Sequence, residues 1–143
     1  MLCKILEHDD IIFFKNFKDD ENTIYNIEKL KQFIEEKNCY GFIIKDEDSV
    51  FGFAYGYLHL RPDGNKDFYL HSIDIMKEYQ NNGYGKKLLS YIKEFIQKLG
   101  CKKMFLITNK SNLSACSCYE KVGGIAKSKD DVVYSYNIID KGI

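Results

Sequence analysis

The sequence predicts a mixed α/β fold in a single domain that spans residues 1–143. Short segments in which apolar and polar residues alternate indicate strands, and they are interleaved with segments whose apolar residues recur at the 3.6-residue period of a helix. A chain of 143 residues is long enough for one ordinary core, and no repeat or linker divides it. The predicted order is β-α-α-β-β-β-α-β-α-β. The last two helices are crossovers, which call for parallel neighbouring strands.

The first half of the chain contributes two predicted helices between its strands. Asp9 and Asp10 are favourable residues for the start of a helix. Thr23 is a suitable N-cap for the second helix, which carries a clear apolar stripe. The predicted elements of this half are a strand at 2–6, helices at 11–17 and 23–37, and strands at 40–44 and 50–60.

The second half alternates strands and helices after a proline-containing loop at 61–67. Its long helix has one apolar face, formed by Leu88, Leu89, Ile92, Phe95, Ile96 and Leu99. Gly100 is the expected C-cap of that helix, and Gly123-Gly124 end the next one. The predicted elements are a strand at 68–76, a helix at 83–99, a strand at 103–108, a helix at 112–122 and a strand at 132–138.

The composition argues against several classes of protein. The net charge is zero, with 21 basic and 21 acidic residues, which does not suit a general nucleic-acid or anionic-membrane surface. No stretch approaches the ~20 apolar residues of a membrane span, and the first residues do not form a signal peptide. The five cysteines include no Cys-x-x-Cys pair, and the three histidines show no ligand spacing with them. We therefore expect reduced thiols, no bound metal and a cytoplasmic location.

The segment Gln80-Asn81-Asn82-Gly83-Tyr84-Gly85 lies between a predicted strand and a predicted helix and indicates an anion-binding loop. Two glycines where the helix begins let the backbone approach a ligand closely. Free N–H groups and the positive end of the helix dipole favour a phosphate there. The spacing excludes two common phosphate loops. A dinucleotide fingerprint needs a glycine where Leu88 stands, and a P-loop needs one where Gln80 stands.

A second segment makes this signal specific. Residues 112–124 read N-L-S-A-C-S-C-Y-E-K-V-G-G. Together the two segments are similar to the Q-x-x-G-x-G and N-x-x-A-x-x-x-Y-E-K-x-G-F motifs of the GCN5-related N-acetyltransferase (GNAT) superfamily, with Gly124 in place of the usual phenylalanine. The resemblance covers about residues 68–138. Within the superfamily, the chain looks most like the aminoglycoside 3-N-acetyltransferase group.

The resemblance implies an N-acetyltransferase that uses acetyl-CoA. The fold it implies is a mixed, mostly antiparallel sheet with helices on both faces, in which a central pair of parallel strands splays apart to admit the pantetheine arm. A backbone N–H near Ile75 would stabilise the oxyanion. The acetyl-CoA site that it implies comprises Ile73, Ile75, Gln80, Asn81, Asn82, Gly83, Tyr84, Gly85, Lys86, Asn112 and Tyr119.

Tyr119 is the candidate general acid. A phenol with a pKa near ~10 can protonate a departing thiolate whose parent thiol has a pKa near ~8.5. Asn112, Ala115 and Tyr119 lie on one face of the predicted helix, so Asn112 can reach the acetyl donor while Ala115 leaves clearance. A core tyrosine is the alternative interpretation, but the position of Tyr119 in the motif favours the acid.

His71 is the candidate general base, and two alternatives stay open. It matches a histidine in the arylalkylamine branch of the family, and imidazole titrates near working pH. Asp74 would share its face only if a bulge intervened, and a relay of waters could replace a single base. Strand alternation predicts two faces, one with Tyr69, His71, Ile73 and Ile75 and the other with Leu70, Ser72, Asp74 and Met76.

The implied acceptor is a primary amine of a small molecule. Acidic loop residues could receive a polycation such as an aminoglycoside. Two other functions remain open, an N-acetyltransferase for proteins or peptides and an acyl-CoA-binding module without turnover. The presence of both Tyr119 and Asn112 argues against the pure binding module. We expect a monomer or a homodimer with no nucleic-acid or membrane partner.

Overall fold

The computed structural model describes residues 1–139 of the chain. This part folds into five strands and three α-helices, with two short 3₁₀ helices at His8–Phe14 and Lys77–Tyr79. The strands are β1 (Leu2–Ile5), β2 (Cys39–Lys45), β3 (Val50–Leu60), β4 (Lys66–Ile75) and β5 (Lys103–Phe105), and the helices are α1 (Ile27–Glu35), α2 (Tyr84–Lys98) and α3 (Leu113–Lys121).

The strands form one sheet in the order β1-β2-β3-β4-β5. All neighbours are antiparallel except β4 and β5, which run parallel. Pairing between these two strands extends only from Asp67 with Lys103 to Tyr69 with Phe105. Residues 70–75 of β4 therefore have no partner on that edge within the described part of the chain. The predicted mixed, mostly antiparallel sheet with one splayed parallel pair is confirmed, but the pair lies at one edge of the described sheet and not at its centre.

Helices cover both faces of the sheet, as expected. The core beneath α2 is made of fully or almost fully buried side chains, among them Phe42, Phe51, Phe68, Leu70, Leu88 and Ile92. The opposite core lies beneath α1 and the 3₁₀ helix His8–Phe14 and contains Leu6, Ile11, Phe14, Leu30, Ile43, Val50 and Phe53. The sheet thus separates two apolar layers.

Capping residues fix where the helices begin and end. Gly100 has a φ of 89° and follows Leu99, the C-cap of α2, so a glycine ends the helix as predicted, one residue after the C-cap itself. The predicted cap at Thr23 is wrong, because α1 begins only after Asn26, whose side-chain oxygen accepts a hydrogen bond from the Lys29 N–H at 2.8 Å. The Thr23 N–H instead donates to Asp19 Oδ1 at 2.8 Å, which closes a turn before the helix.

Two other predicted elements differ from the observed ones. The helix expected at 11–17 is the 3₁₀ helix His8–Phe14. The strand expected at 132–138 is not formed, and its apolar side chains, such as Val132 and Ile138, are exposed. Alternating apolar residues give a segment strand propensity, but a strand also needs a neighbouring strand to pair with. No strand of the described chain pairs with this segment.

A bulge interrupts the regular alternation of β4. Tyr55 of β3 lies opposite Ser72, but the next β3 residue, Gly56, lies opposite Leu70. His71 is therefore an extra residue on β4, with no opposite residue on β3. An extra residue reverses the alternation of side chains between the two faces for everything that follows it.

The bulge corrects the predicted grouping of β4 side chains. On the α2 side the strand contributes Phe68, Leu70, Ile73 and Ile75 to the core. Asp74 lies opposite Phe53, which belongs to the core on the α1 side. Regular alternation predicted that His71 lies on the same face of the sheet as Ile73 and Ile75, with Asp74 on the other face. Both predictions are wrong, because the bulge puts His71 and Asp74 on the same face.

Candidate functional site

The loop at 80–85 turns sharply into α2. Asn81 has a φ of 63° and Gly83 a φ of 81°, in the left-handed region that glycine adopts with least strain. Helix α2 begins directly after Gly83. A Cβ atom placed on Gly83 would meet no other atom within 4 Å, so this glycine borders open space.

The N-terminus of α2 presents free backbone donors. The N–H groups of residues 81–86 have no acceptor among the described residues, and the first bond of the helix runs from the Lys87 N–H to the Gly83 carbonyl at 3.1 Å. The first turn contains no acidic residue. These donors and the positive end of the helix dipole together form a site suited to a phosphate.

Two side-chain amides hold the loop in shape. Gln80 Nε2 donates to the Ile75 carbonyl at 2.9 Å, and Asn82 Nδ2 donates to the carbonyls of Gln80 and Tyr79 at 3.0 and 3.3 Å. Gln80 and Asn82 thus brace the turn between β4 and α2. Their predicted contact with acetyl-CoA stays a prediction.

The loop, the end of β4 and α3 lie close together. A Cβ atom placed on Gly85 would be 3.5 Å from Cys118 Sγ of α3 and 3.8 Å from Ile75 Cγ1 of β4. Burial raises the pKa of the Cys118 thiol, and the nearby Lys86 ammonium opposes that rise. Lys86 therefore adds a positive charge between the loop and α3.

The backbone of β4 is accessible where β5 diverges. The Met76 N–H donates to the Phe51 carbonyl of β3 at 2.8 Å. Residues of an antiparallel pair alternate between bonded and non-bonded positions, so Ile75 and Ile73 direct their backbone groups away from β3. The Ile75 carbonyl accepts the Gln80 bond on that side, and the Ile75 N–H points toward the open edge. A backbone donor thus lies where the oxyanion donor was expected.

Tyr119 lies on α3, half-buried against the core beneath α2. Burial raises the pKa of its phenol to about 12, with smaller contributions from Cys118, Asp74 and Cys116. The hydroxyl is therefore protonated at neutral pH, and it is a weaker acid than an ordinary phenol. Tyr119 packs against the same core as Ile73 and Ile75 of β4.

Residues at the two ends of α3 fix the position of Tyr119. Asn112 caps the helix, since its Oδ1 accepts a hydrogen bond from the Ala115 N–H at 3.1 Å. Gly123 has a φ of 94°, and the Gly124 N–H donates to the Tyr119 carbonyl at 2.8 Å. A Cβ atom on Gly124 would come within 2.8 Å of that oxygen, so the phenylalanine usual in the motif would not fit this backbone. The predicted contact of Asn112 with acetyl-CoA stays a prediction.

His71 is exposed within a group of aromatic rings on the α1 side of the sheet. It stacks on Tyr55 with ring centroids 5.2 Å apart and an interplanar angle of 17°. The rings of Tyr57 and Tyr69 lie at 6.1 and 5.4 Å. Four residues of strand separate His71 from Ile75, a rise of about 13 Å. His71 thus lies in the unpaired stretch of β4 but far along the strand from the Ile75 N–H.

Asp74, which directly precedes Ile75, lies in the same unpaired stretch of β4. The Ser72 hydroxyl donates to Asp74 Oδ2 at 3.0 Å. Burial is the main cause of the raised pKa of Asp74, and the neighbouring charges of Asp19, Asp20 and Glu21 add to it. The Ser72 bond opposes the rise.

The sequence contained a signal for the face on which Asp74 lies, and the assumption of regular strand alternation missed it. The apolar residues that β4 contributes to the core beneath α2 are Phe68, Leu70, Ile73 and Ile75, at steps of two, three and two residues in the sequence. A step of three inside a strand indicates a bulge, because a regular strand repeats every two residues. This step places Asp74 on the same side as the phenolic rings of β3.

All five cysteines are free thiols. Within residues 1–139, no group of three or more His, Cys, Asp or Glu side chains is arranged to hold a metal ion. No helix of the same range is long and apolar enough to cross a bilayer.

Comparison with known proteins gives matches over most of the chain. The profile of the acetyltransferase (GNAT) family matches residues 4–124. Mycothiol acetyltransferase of Renibacterium salmoninarum is 29% identical over 112 residues, which cover 75% of this chain and 33% of that protein. Streptothricin acetyltransferase A of Bacillus subtilis is 25% identical over 123 residues, which cover 86% of this chain and 65% of that protein. The chain thus spans less than two thirds of the length of either relative.

Solved structures share the fold. An aminoglycoside acetyltransferase from an uncultured soil metagenomic sample, determined in complexes with trehalose and with sisomicin, gives a TM-score of 0.77 at 20% identity. The superposition covers 97% of this chain and 96% of that one. At this identity the likeness concerns the fold.

Proposed function

We propose that this chain, which belongs to the acetyltransferase (GNAT) family, transfers an acetyl group from acetyl-CoA to a primary amine of a small molecule. One observation carries the proposal: the free N-terminus of α2, the end of β4 at Ile75 and Cys118 of α3, the residue before Tyr119, lie close together, and we assign the hydroxyl of Tyr119 to the same site. The N-terminus of α2, Ile75 and Tyr119 supply, in that order, a phosphate site, a donor for an oxyanion and a proton for a thiolate.

The residues present fit acetyl-CoA. Its pyrophosphate is an anion, and residues 81–86 offer free N–H groups beside a glycine that borders open space. Lys86 adds a positive charge there. Its pantetheine arm needs a gap in the sheet, and pairing between β4 and β5 stops at Tyr69. The amides of the arm could then bond to the unpaired backbone of β4 as an added strand does.

The proposed reaction uses this chain for positioning, charge stabilisation and proton transfer. The thioester supplies the activated acetyl group. The amine nitrogen attacks its carbonyl carbon, so a C–N bond forms and the C–S bond breaks. The Ile75 N–H would stabilise the negative charge that develops on the carbonyl oxygen. The Tyr119 hydroxyl would give its proton to the departing thiolate.

The proposed acceptor is a cationic small molecule of the aminoglycoside kind. The names of the relatives and of the solved neighbour refer to amine-bearing antibiotics and to mycothiol. The charges of Asp19, Asp20 and Glu21 help to raise the pKa of Asp74, and a cation would be attracted by these carboxylates together. The cytoplasmic location expected from the cysteine content stays a prediction.

The test is a thiol-release assay with acetyl-CoA and a panel of amines: sisomicin, spermine, tyramine and a lysine-containing peptide. We expect turnover with at least one small-molecule amine and none without an amine. Turnover with the peptide and with none of the other amines would instead make the protein a peptide acetyltransferase. Tight binding of acetyl-CoA without turnover on any amine would favour a binding module.

A further inference from the structure

Residues 132–138 form an exposed segment with the alternating pattern of a strand. In an extended backbone every second side chain lies on the same face. One face of this segment is entirely apolar and comprises Val132, Tyr134, Tyr136 and Ile138, which are 68–89% exposed in a single protomer. On a soluble protein an apolar patch of this kind marks an interaction site. The segment lies outside residues 4–124, the part of the chain that matches the family profile.

The backbone of this segment also lacks partners. No backbone–backbone hydrogen bond joins residues 125–139 to another described residue, and no described strand pairs with them. The Asp130 N–H donates to the Ser128 hydroxyl at 3.1 Å, which is a local bond within the same stretch. A strand is stabilised by pairing and by side-chain contacts with its neighbour. The segment thus has the pattern of a strand and needs a neighbouring strand.

Strand β5 has a free edge. It is the last strand of the sheet, and no described strand pairs with its outer side. The alternation continues beyond its end, because Met104 and Leu106 pack against the core beneath α2, whereas Phe105 and Ile107 are 37% and 55% exposed. An edge strand with exposed apolar side chains is a template for pairing with another chain.

A row of aromatic rings on the α1 side of the sheet ends at this edge. The ring of His59 on β3 lies 6.2 Å from that of Tyr69 on β4. Tyr69 stacks on Phe105 of β5, with centroids 5.0 Å apart and an interplanar angle of 18°. A strand added beside β5 would bring Tyr134 or Tyr136 next to Phe105. Cross-strand aromatic pairs stabilise a sheet, so the added strand would extend the row.

The charges that flank the two elements are complementary. Asp130 and Asp131 precede the segment, whereas Lys102 and Lys103 lie at the start of β5 and Lys110 follows it. All five side chains are exposed, and none forms an ion pair within residues 1–139. Opposite charges on neighbouring strands favour their pairing and help to fix its register.

We propose that this chain forms a symmetric homodimer in which the segment 132–138 of each protomer pairs, as an added strand, with the free edge of β5 of the other. Both unpaired elements belong to the same chain, so a two-fold pair of chains supplies each of them with its partner and closes the assembly. Dimer formation is independent of the acetyl-transfer reaction.

The exposed fractions give the scale of the contact. Tyr134 and Tyr136 are 80% and 82% exposed, so the four tyrosines of a dimer offer about 500–800 Å². The valines and isoleucines of the segment and the exposed part of β5 bring this area toward the ~1,200–2,000 Å² of a stable interface.

The test compares Ile138→Asp with Ile24→Asp, a matched pair because both isoleucines are 89% exposed. Sedimentation of the full chain measures its mass and the Kd of the dimer. We expect the wild type and Ile24→Asp to be dimers at micromolar concentrations. Ile138→Asp puts a charge into the interface twice per dimer and should raise Kd about 30-fold or more, as the loss of an interface anchor does.

Thermal unfolding checks that the variant is folded. The Tm of the wild type and of Ile24→Asp should rise with protein concentration, because association stabilises the folded chain. Ile138→Asp should show the Tm of the dilute wild type at every concentration, because its side chain is exposed in a single protomer.

Hydrogen exchange locates the contact. The amides of residues 132–138 and of residues 103–108 should be protected in the dimer and lose that protection together on dilution and in Ile138→Asp. Replacing Asp130 and Asp131 by Lys should weaken the dimer. Replacing Lys102, Lys103 and Lys110 by Glu in the same chain should restore it.

Four results would overturn the proposal. They are a wild-type chain that stays monomeric at submillimolar concentration, a Kd that Ile138→Asp leaves unchanged, and a dimer in which the amides of residues 103–108 exchange freely. The fourth is a monomer whose amides at 132–138 are protected, which would place the segment against β5 of its own chain.

Discussion

The side-chain amide of Gln80 donates a hydrogen bond to the Ile75 carbonyl oxygen at 2.9 Å. This bond ties the first residue of the loop to the last residue of β4. The Ile75 N–H faces the open edge, and the free donors of α2 follow the loop. The bond therefore fixes the proposed phosphate site and the proposed oxyanion donor relative to each other.

Gln80→Ala should weaken acetyl-CoA binding without unfolding the protein. Losing a net ~0.5–1.5 kcal/mol of hydrogen bonding would raise Kd by about 2- to 10-fold, since the loop must then be ordered on binding. Titration calorimetry measures the change. Gln97→Ala is the matched control, because Gln97 is exposed on α2, far from the loop at 80–85. Equal affinities of Gln80→Ala and Gln97→Ala would show that this bond does not support the site.

Gly83→Val should abolish acetyl-CoA binding. Gly83 and Gly64 have φ values of 81° and 84°, and neither would place a Cβ within 4 Å of another atom. Valine at either position therefore costs similar backbone strain, of about 1–2 kcal/mol or more. Only Gly83 borders the free donors of α2, so only Gly83→Val should lose the Tm shift caused by acetyl-CoA. If Gly64→Val loses it too, strain rather than blockage explains the effect.

Segments with a strong pattern of their own were predictable from the sequence. The apolar face of α2, the long alternating run of β3 and the glycines after α2 and α3 each specify a local structure. The loop at 80–85 was predictable as well, because its glycines precede an amphipathic helix. These features depend on residues near one another in the chain. The resemblance of the segments at 80–85 and 112–124 to two family motifs then predicted how the elements are arranged in one fold.

Features that depend on distant partners were not predictable in the same way. The extra residue at His71 is defined by pairing with β3, and it decides the face on which Asp74 lies. The N-cap of α1 is Asn26 because a turn closed by Asp19 occupies Thr23. The segment at 132–138 has strand propensity, but no described strand pairs with it. In each case a tertiary contact overrides the local pattern.

Asp10→Ala should destabilise the layer on the α1 side. Asp10 is 4% exposed, accepts a hydrogen bond from the Glu7 N–H at 2.9 Å and pairs with Lys4 Nζ at 2.8 Å. Removing the carboxylate leaves the Glu7 N–H without its acceptor and leaves Lys4 with Glu7 as its partner, at a cost of about 1–3 kcal/mol in the free energy of unfolding. Urea denaturation measures it. Asp9→Ala, at an exposed neighbouring position, should change stability by less than about 0.5 kcal/mol.

Asp74→Asn should raise thermal stability at neutral pH. Burial raises the pKa of Asp74, so the folded protein binds this proton more tightly than the unfolded chain does. Stability therefore falls as pH rises from the usual Asp pKa to the raised value, and the penalty is complete above it. Asparagine avoids that penalty, so the gain in Tm should vanish as pH falls through the same window. A gain that is independent of pH would have another cause. Higher stability with lower turnover would fit a residue retained for function.

Tyr119→Phe should separate chemistry from binding. The ring and its packing remain and only the hydroxyl is lost, so the Tm and the Kd for acetyl-CoA should change little. Turnover should fall by about 10²–10⁴-fold, because the thiolate must then leave without a proton from the protein. A loss confined to the transition state lowers kcat and kcat/KM together. Tyr91→Phe is the matched control, since Tyr91 packs against the same core from α2.

The pH dependence and the leaving group sharpen this test of Tyr119. Because burial raises its pKa to about 12, the phenol stays protonated through neutral and moderately alkaline pH. The ratio of wild-type to Tyr119→Phe turnover should therefore be constant over that range and collapse only as the phenol ionises. An acetyl donor whose leaving thiol is more acidic should bring this ratio closer to one, because its thiolate departs with less help from an acid. If Tyr119→Phe and the control Tyr91→Phe both turn over a verified amine at the wild-type rate, Tyr119 is a core residue like Tyr91. The thiolate then takes its proton from water.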